Sequence, residues 1–335
     1  MSGLRAAQVL EASGRCRVRL FDKGRGVGGR TSLRRAAPFT FDHGAQYFTA
    51  RDQVFRAQVD EWIEAGTVAP FDGPLAGIAR EGSLQFKEAG VTERFVGLPG
   101  MNAMARAMAA GLEVEVGARV ESLERVRASS SGRLNDGPDH GHDGWTLHFQ
   151  DGRQESRFDA VLVTTPAPQA EPLIAASPML LSAAKSVSMR PCWAAMVAFA
   201  ERFEAPFDGA FIDEGPLSWA CRNSAKKGRP EGDAWVLHAS PDWTEAHLDL
   251  APADVAQQLT LALGRAAGLQ TPKPVHMGAH RWMYSGALEP REDRALFDAE
   301  LGLGLAGDWL NGSKVQGAWL SGQALAQAVL SAHGA

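Results

Sequence analysis

The stretch Met1-Ser2-Gly3-Leu4-Arg5-Ala6-Ala7 decides how this chain is expected to fold. Its glycine stands at the start of a helix-forming run, as the last glycine of a G-x-G-x-x-G turn does. Leu20-Phe21-Asp22 then has the composition of a strand that ends in an acid, and Gly28-Gly29-Arg30 follows it. A glycine turn, a helix and an acid-terminated strand, in this order, are the fingerprint of a dinucleotide-binding α/β domain.

The fingerprint is incomplete, because its first strand and its first two glycines do not precede Gly3. We expect the natural protein to begin upstream, with the start codon of this chain placed too late. The alternative is an inactive remnant or an interaction protein that binds no nucleotide. Loss of the central strand would expose apolar edges and backbone polar groups at a large cost, which favours the first interpretation.

Length and composition narrow the class of protein. A chain of 335 residues exceeds one ordinary core, so two domains are expected. Hydrophobic and charged contents of 45% and 22% are typical of a soluble globular protein. A net charge of −5 gives no reason to expect a nucleic acid or an anionic membrane as partner. Three scattered cysteines suit a reducing compartment, so a cytoplasmic location is expected, and nothing indicates the oligomeric state.

Periodicity and turn residues predict the elements and their grouping. Helices are expected over residues 2–13, 53–65, 100–110, 252–267 and 317–332. Strands are expected over residues 17–22, 113–125, 145–149, 160–165, 193–200, 234–239 and 301–306. Near the C-terminus, a strand, a glycine-containing turn and a helix are expected in the same order as in a nucleotide-binding βα unit. The fold class is therefore α/β, with a Rossmann-like nucleotide-binding domain over 1–49, 95–170 and 296–335. An inserted mixed-sheet α+β substrate domain is expected over 50–94 and 171–295.

Two constellations carry the chemistry expected of a nucleotide site. Asp22, at a strand end about twenty residues after Gly3, can accept hydrogen bonds from a ribose hydroxyl. The loop that follows, residues 23–32, is rich in glycine and basic residues and suits a pyrophosphate. Gly307-Asp308 precedes a helix that begins near Val315-Gln316-Gly317. That aspartate could hold a sugar-alcohol hydroxyl, and the helix N-terminus could stabilise negative charge on a bound ring.

Other chemistries have weaker support. Asp139, His140, His142 and Asp143 could be drawn as a metal site, but their glycine, proline and serine neighbours would not hold ligands rigidly, so no metal is expected. Cys192 and Cys221 lack a C-x-x-C spacing. A G-x-S-x-G nucleophile elbow is also absent from the sequence.

Several longer blocks carry a family resemblance. They are Phe21 to Arg30 (FDKGRGVGGR), Phe41 to Asp52 (FDHGAQYFTARD), Val163 to Gln169 (VTTPAPQ), His280-Arg281-Trp282, Gly307-Asp308-Trp309 and Gly317 to Gly322 (GAWLSG). Together they closely resemble the bacterial renalase-like flavoproteins, and the resemblance spans nearly the whole chain. It implies an FAD-dependent oxidoreductase of the amine-oxidase fold group. Such enzymes are expected to oxidise dihydro isomers of NAD(P) by hydride transfer to flavin N5, with O2 reoxidising the flavin to give H2O2.

The resemblance also implies roles for single residues. Gly3, Asp22, Lys23, Gly29 and Arg30 would hold the ADP part of FAD. Gly44, Ala45 and Gln46 would line the flavin, and Val120 would lie near the adenine. Asp308 would meet the ribityl or phosphate region, with Val315, Gln316 and Gly317 at the pyrimidine edge of the flavin. Two departures from the family pattern are the incomplete glycine turn and Gln316, which stands where a glutamate is usual.

Hydride transfer to a flavin asks for stacking and orientation, so no catalytic side chain is assigned. The candidates for the substrate pocket are His280, Arg281, Trp282, Tyr284, Trp219 and Asn223. His280 could equally be a structural histidine. The nearer functional alternative is an amine or polyene oxidase. Tyr47 and Tyr284 are the only tyrosines, which weakens an amine-oxidase interpretation based on a cage of aromatic residues.

Overall fold

The computed structural model describes residues 1–80, 83–86, 92–126 and 144–332. The chain divides into two compact units, each assembled from separate stretches of sequence. Unit 1 comprises Met1–Val27, Met108–Ser188 and Leu288–Ala335, and unit 2 comprises Gly28–Ala107 and Met189–Ala287. Across the described ranges, no helix combines the length and the apolar character that a membrane crossing requires.

The described residues form eight α-helices and nineteen β-strands, numbered in chain order. The helices are α1 Ser2–Ala12, α2 Gln53–Glu64, α3 Ala103–Ala109, α4 Ala167–Ala170, α5 Pro178–Lys185, α6 Pro241–Ala246, α7 Pro252–Ala267 and α8 Val315–Ala332. The strands are β1 Arg19–Asp22, β2 Arg34–Ala36, β3 Phe39–Phe41, β4 Val68–Pro70, β5 Leu75–Ile78, β6 Leu84–Phe86, β7 Phe95–Gly97, β8 Glu113–Val116, β9 Val120–Val126, β10 Gly144–Phe149, β11 Gln154–Phe158, β12 Val161–Val163, β13 Met189–Phe199, β14 Gly209–Ile212, β15 Leu217–Arg222, β16 Asp233–Ala239, β17 Pro274–Ala287, β18 Ala295–Asp298 and β19 Leu303–Ala306.

Unit 1 is built from short sheets and four helices, of which α1 and α8 pack together. β1 pairs in parallel with β8, β12 pairs in parallel with β19, and β18 joins β19 in antiparallel. β9, β10 and β11 form a separate antiparallel sheet. Helices α1 and α8 bury Ala6, Leu10, Ala326 and Val329 in one cluster. Parallel strands alternating with helices are the pattern of a nucleotide-binding α/β unit, so the expected α/β fold class is confirmed.

Close contacts explain two glycines of unit 1. A Cβ on Gly3 would lie 2.9 Å from the side-chain oxygen of Thr164, so a larger residue here would force α1 or Thr164 to shift. A Cβ on Gly322 of α8 would overlap the carbonyl oxygen of Ser2. The helix predicted over 2–13 ends at Ala12, and Gly14 follows it with a φ of +67°.

Unit 2 is organised by a mixed seven-stranded sheet in the order β17-β13-β16-β15-β14-β5-β6. One face packs against α7, where Val255, Leu259 and Leu263 join a large apolar cluster. On the opposite face, Phe41 of β3 packs on Met196 of β13. We call this second face the loop face. Because side chains alternate along a strand, each strand of the sheet contributes to both faces.

The unit boundaries differ from the expected domain boundaries. Residues 28–49 and 95–107 were expected in the nucleotide-binding domain, but their contacts place them in unit 2. Residues 171–188 and 288–295, expected in the substrate domain, belong to unit 1. The physical reason for the first difference is the β2–β3 hairpin, whose Phe41 is fully buried on the central sheet of unit 2. Asp139, His140, His142 and Asp143 lie outside the described residues.

Local signals predicted many elements to within a few residues. The helix predicted over 252–267 has those bounds, with proline in its first turn and Gly268 in the left-handed conformation at its end. The strand predicted over 113–125, with Gly117 as its expected bend, is divided at Gly117 into two strands, β8 and β9, and the φ of Gly117 is +75°. The loop predicted over 23–32 contains a short 3-10 helix, Gly29–Thr31.

Candidate functional site

The segment 42–48 of unit 2, between β3 and α2, contains the three residues predicted to line the flavin. Its backbone lies in direct contact with the loop that carries Arg30. The Ala45 N–H donates to the Arg30 carbonyl at 2.8 Å, and a Cβ on Gly44 would overlap that same oxygen. Gly44 is therefore required by the close approach of two backbone segments.

Asp42, which begins this segment, lies in a fully buried group of charges. Its Oδ2 accepts hydrogen bonds from Lys226 Nζ at 3.2 Å and from Arg229 Nη2 at 2.5 Å. Its Oδ1 accepts the Met101 N–H at 2.9 Å. Burial alone would raise the pKa of Asp42, but the charges of Lys226 and Arg229 and the Met101 hydrogen bond hold it below its ordinary value. All three side chains have no exposed surface, so their mutual pairing is what makes their burial tolerable.

Gln46 connects this buried charge to the central sheet. Lys226 Nζ donates to Gln46 Oε1 at 3.0 Å, and Gln46 Nε2 donates to the Asp42 carbonyl. The same amide nitrogen lies 3.4 Å from Nε2 of His238 on β16. Because Lys226 occupies the amide oxygen, the NH2 group faces His238, and Nε2 of that ring acts as the acceptor. The geometry therefore assigns the proton of the neutral His238 ring to Nδ1.

His43 lies within a cluster of rings. Its imidazole stacks on Trp282 with a centroid distance of 5.0 Å and meets His280 edge-on at 5.0 Å. The Trp282 Nε1–H donates to the His43 carbonyl at 2.9 Å, which fixes the backbone next to Gly44. His43 is 5% exposed, and its buried Nδ1 has no hydrogen-bond partner among the described residues.

These imidazoles are neutral at physiological pH. Burial, followed by the charges of His280 and Arg34, lowers the pKa of His43 to about 4. Burial also lowers the pKa of His238 to about 4, although a hydrogen bond to the backbone of His43 opposes the shift. The pKa of His280 is lowered by burial and by Arg34. The cluster therefore presents uncharged imidazoles.

The low pKa of His43 predicts a loss of stability in mild acid. Since the unfolded chain takes up the proton near pH 6.5 and the folded chain only near pH 4, the free energy of unfolding falls as pH drops through this window. At pH 5 the loss from His43 is about 2 kcal/mol relative to pH 7.5, at 1.36 kcal/mol per unit. His43→Asn should remove this part of the loss. Urea titrations at both pH values measure it, and an equal loss in both proteins would contradict the prediction.

Five residues form a cross-strand row on the loop face of unit 2. Strand pairing places His280 beside Ala194, Ala194 beside His238, His238 beside Trp219 and Trp219 beside Phe211. Four intervals of about 4.8 Å separate β17 from β14, so the row is about 19 Å long. Segment 42–48 lies along it, with Gln46 at His238 and with Tyr47 5.3 Å from Trp219. Half-buried Phe211, His238 and His280, together with buried Trp219, thus form an elongated row of aromatic and imidazole rings.

The residues predicted for the substrate pocket occupy different positions. His280, Trp282 and Tyr284 alternate along β17 and share the loop face. Arg281 lies on the other face, exposed, with its guanidinium 5.5 Å from the ring of Trp193 and donating to the Leu248 carbonyl. Asn223 is fully buried and donates to the Thr40 carbonyl at 2.7 Å, so its side chain ties β3 to the loop after β15.

Sequence reasoning missed Lys226, Arg229 and Arg94, as well as β17 itself. The alternation of His276, His280, Trp282 and Tyr284 was a period-two signal that could have identified the strand and its polar face. No comparable signal links Asp42 to Lys226, because 184 residues separate them.

In unit 1, Asp22 and Lys23 lie at the carboxyl end of β1. Asp22 Oδ1 accepts the Gly24 N–H at 2.7 Å, and the Asp22 carbonyl accepts the Ala118 N–H at 3.0 Å. Burial, then the charge of Arg119, lowers the pKa of Lys23. Val120, which follows Arg119 as the first residue of β9, is partly buried. A carboxylate at the carboxyl end of a parallel strand is the position at which α/β sheets bind ribose hydroxyls.

The second constellation of unit 1 surrounds the start of α8. The Asp308 carbonyl accepts the N–H groups of Asn311 and Ser313 at 2.9 and 2.8 Å, and the Gly307 N–H donates to Ser321 Oγ at 2.8 Å. A Cβ on Gly317 would overlap the Asn311 carbonyl. The turn thus folds tightly over the first turn of an 18-residue helix that begins at Val315.

These residues fit a dinucleotide-type flavin cofactor. Thr165, just after β12, has a buried Oγ1 with no partner among the described residues, and its carbonyl accepts Trp309 Nε1–H at 3.1 Å. An unused hydroxyl at the carboxyl end of a parallel strand, beside the Gly307-Asp308 turn, suits a polar ligand group. Taken by itself, unit 2 has Gly29 and Arg30 next to the backbone contact at Gly44.

The described residues contain neither a cluster of metal ligands nor a reactive thiolate at Cys192 or Cys221. Over the part of the chain that the structure describes, no three His, Cys, Asp or Glu side chains cluster as metal ligands would. Burial raises the pKa of Cys192 to about 12 and that of Cys221 to about 11, so neither is a thiolate at neutral pH.

Solved structures share this fold over nearly the whole chain. A candidate protoporphyrinogen oxidase from Exiguobacterium sp. 255-15 is 12% identical, with a TM-score of 0.76, and the match covers 98% of this chain and 96% of that one. Putrescine oxidase in complex with putrescine is 13% identical, with a TM-score of 0.69, covering 98% and 97% of the two chains. At these identities the likeness establishes the fold.

Family models match both parts of the sequence. The model of an NAD(P)-binding Rossmann-like domain matches residues 1–62, which confirms the nucleotide-binding interpretation of the opening stretch. The model of flavin-containing amine oxidoreductases matches residues 80–330, three quarters of the chain. A flavin is the defining cofactor of that family, in agreement with the expected FAD and with the fit of the residues above. The chain belongs to the flavin-containing amine oxidoreductases.

Proposed function

We propose that this protein is an FAD-dependent oxidase of the renalase type, which oxidises dihydro isomers of NAD(P). The observation that carries the proposal is the cross-strand row of unit 2, which offers aromatic faces and neutral imidazoles to a flat ring. Asp42, the carboxylate of segment 42–48, is fully buried and forms ion pairs with Lys226 and Arg229. It is therefore not available to the ammonium group of an amine substrate. This arrangement favours an uncharged, planar substrate ring over a cationic amine.

The protonation states of the site agree with hydride transfer. A bound flavin would supply the hydride acceptor, at its N5, and O2 would be the final acceptor of two electrons and two protons, giving H2O2. A dihydropyridine that loses a hydride from carbon becomes an aromatic pyridinium, so the protein need not remove a proton from it. His43 and His238, each with a pKa of about 4, are weak proton acceptors at neutral pH. Their role is to hold and orient a ring.

The proposed cofactor residues come from several stretches of the chain. We propose that Gly3, Asp22, Lys23, Gly29 and Arg30 hold the ADP part, with Val120 near the adenine. Asp308 would contact the ribityl or phosphate region. Gly44, Ala45 and Gln46 would line the flavin, with Val315, Gln316 and Gly317 at its pyrimidine edge. The support is the tight backbone contact at Gly44 and the N-terminus of the long helix α8 at Val315.

The experiment compares two substrate classes in one assay. The purified holoenzyme is given dihydro isomers of NAD and NADP in one series and a panel of primary and polyamines in the other, and H2O2 release is measured. We expect turnover of the dinucleotides and none of the amines. Amine turnover with no activity on the isomers would overturn the proposal in favour of an amine oxidase.

A further inference from the structure

Arg94 of unit 2 lies beside the far end of the cross-strand row. Phe48 and Phe95 form an antiparallel bridge with two backbone hydrogen bonds, of 2.9 and 2.8 Å, which puts Tyr47 and Arg94 at diagonal positions across it. The guanidinium carbon of Arg94 is 5.3 Å from the ring centroid of Tyr47 and 5.8 Å from that of Phe211. Its position is therefore set by a bridge between segment 42–48 and β7.

Within the described residues, the guanidinium of Arg94 forms few hydrogen bonds. Nη1 donates to the Thr92 carbonyl at 3.0 Å, while the buried Nε has no partner among the described residues. None of the described carboxylates forms an ion pair with Arg94. A partly buried cation with unsatisfied donors is costly, and an anionic ligand would remove that cost.

Trp219 adds a second unused donor to the same cluster. This residue is 6% exposed, and its Nε1 is buried without a partner among the described residues. Its ring lies 4.6 Å from Phe211 and 5.3 Å from Tyr47. An indole N–H and a guanidinium next to tilted aromatic rings match a group with several acceptor oxygens, such as a phosphate.

The cross-strand row sets the distance between Arg94, with the aromatic rings around it, and the part of the row near Gln46 and His238. Two strand intervals separate Phe211 from His238, which is about 10 Å. His238 is the residue that Gln46 contacts. A substrate whose ring lies near Gln46 and His238 must therefore be elongated to place an anionic group at Arg94.

We propose that Arg94, Tyr47, Phe211 and Trp219 form a subsite for the phosphate that follows the ribose of a nicotinamide nucleotide. This rests on the proposed function, because it assumes that the nicotinamide ring occupies the other part of the row. Arg94 binds the phosphate oxygens, and Trp219 donates one further hydrogen bond. The subsite selects phosphorylated nucleotides over the riboside, which has no phosphate.

The test compares ligands that differ only in the phosphate. Calorimetry measures the Kd of nicotinamide mononucleotide and of nicotinamide riboside for the holoenzyme and for Arg94→Met. We expect the variant to bind the mononucleotide about tenfold to a hundredfold more weakly, with the Kd of the riboside unchanged. The wild-type affinity for the mononucleotide should fall with added salt, and this dependence should be weaker in the variant. Arg202→Met is the matched control, because Arg202 is 64% exposed and pairs with Glu204 at 3.8 Å.

The outcomes separate this proposal from the proposed function. Equal losses for both ligands, or no loss for the mononucleotide, overturn the subsite. If the wild type oxidises dihydronicotinamide nucleotides and Arg94→Met has the same KM for phosphorylated and neutral forms, the function stands and the subsite falls. If the wild type oxidises none of them yet binds the mononucleotide in an Arg94-dependent way, the function falls and the subsite stands. Unchanged flavin absorbance and Tm in Arg94→Met exclude a folding defect as the cause.

Discussion

Asp42→Ala is expected to lower the free energy of unfolding by about 3–5 kcal/mol, which is more than most single substitutions cost. The substitution removes the one carboxylate that Lys226 and Arg229 share, and both cations remain fully buried. It also frees the Met101 N–H and loosens the start of segment 42–48. Urea unfolding followed by tryptophan fluorescence measures the loss, and bound flavin should decrease with it.

Two further variants distinguish the buried charge from a general effect of removing a carboxylate. Asp293 is the half-exposed partner of Arg291, with its Oδ2 2.6 Å from Arg291 Nε. Asp293→Ala should lower the free energy of unfolding by about 1 kcal/mol or less. Adding Lys226→Met to Asp42→Ala removes one of the two unpaired cations, so the double variant should be more stable than Asp42→Ala alone. Simple additivity of the two single losses would contradict the assigned interaction.

Gly44→Ala is expected to weaken flavin binding by about fivefold to a hundredfold, the equivalent of the roughly 1–3 kcal/mol that overpacking costs. The new methyl group would overlap the carbonyl oxygen of Arg30, which is backbone and cannot rotate away. The Ala45 N–H bond to that carbonyl must therefore lengthen or break, and segment 42–48 must shift. Flavin absorbance per chain after dialysis reports the change.

Gly286→Ala is the matched control in the same unit. Gly286 lies on β17, and a Cβ there would meet no atom within 4 Å. This variant should retain the flavin content of the wild type. Equal flavin loss in both variants would show that the close contact at Gly44 is not the cause.

The sequence predicted those features that depend on nearby residues. The ends of α1 and α7 could be read from Gly14 and Gly268, because both glycines adopt the left-handed conformation that terminates a helix. The nucleotide-binding interpretation followed from Gly3 and Asp22, whose order along the chain reflects one βα unit. The family resemblance at residues 41–52 identified the segment that lies on the cross-strand row.

The parts of the site that were missed arise from contacts between distant residues. Arg281 and His280 are adjacent in sequence, yet they lie on opposite faces of β17, and this depends on a strand that had not been predicted. Arg94 carried no motif, and its place beside Tyr47 results from the pairing of Phe48 with Phe95.

By itself, the sequence determined the class of fold, the nucleotide-binding opening and the flavin family, because these rest on short motifs and on local conformational preferences. The tertiary structure alone decided that Asp42 is neutralised by Lys226 and Arg229, and that His280, His238, Trp219 and Phe211 share one row. Burial and strand register set these relations, and neither is local in sequence. A buried charge needs its partner wherever the chain supplies one, and register fixes which side chains share a face.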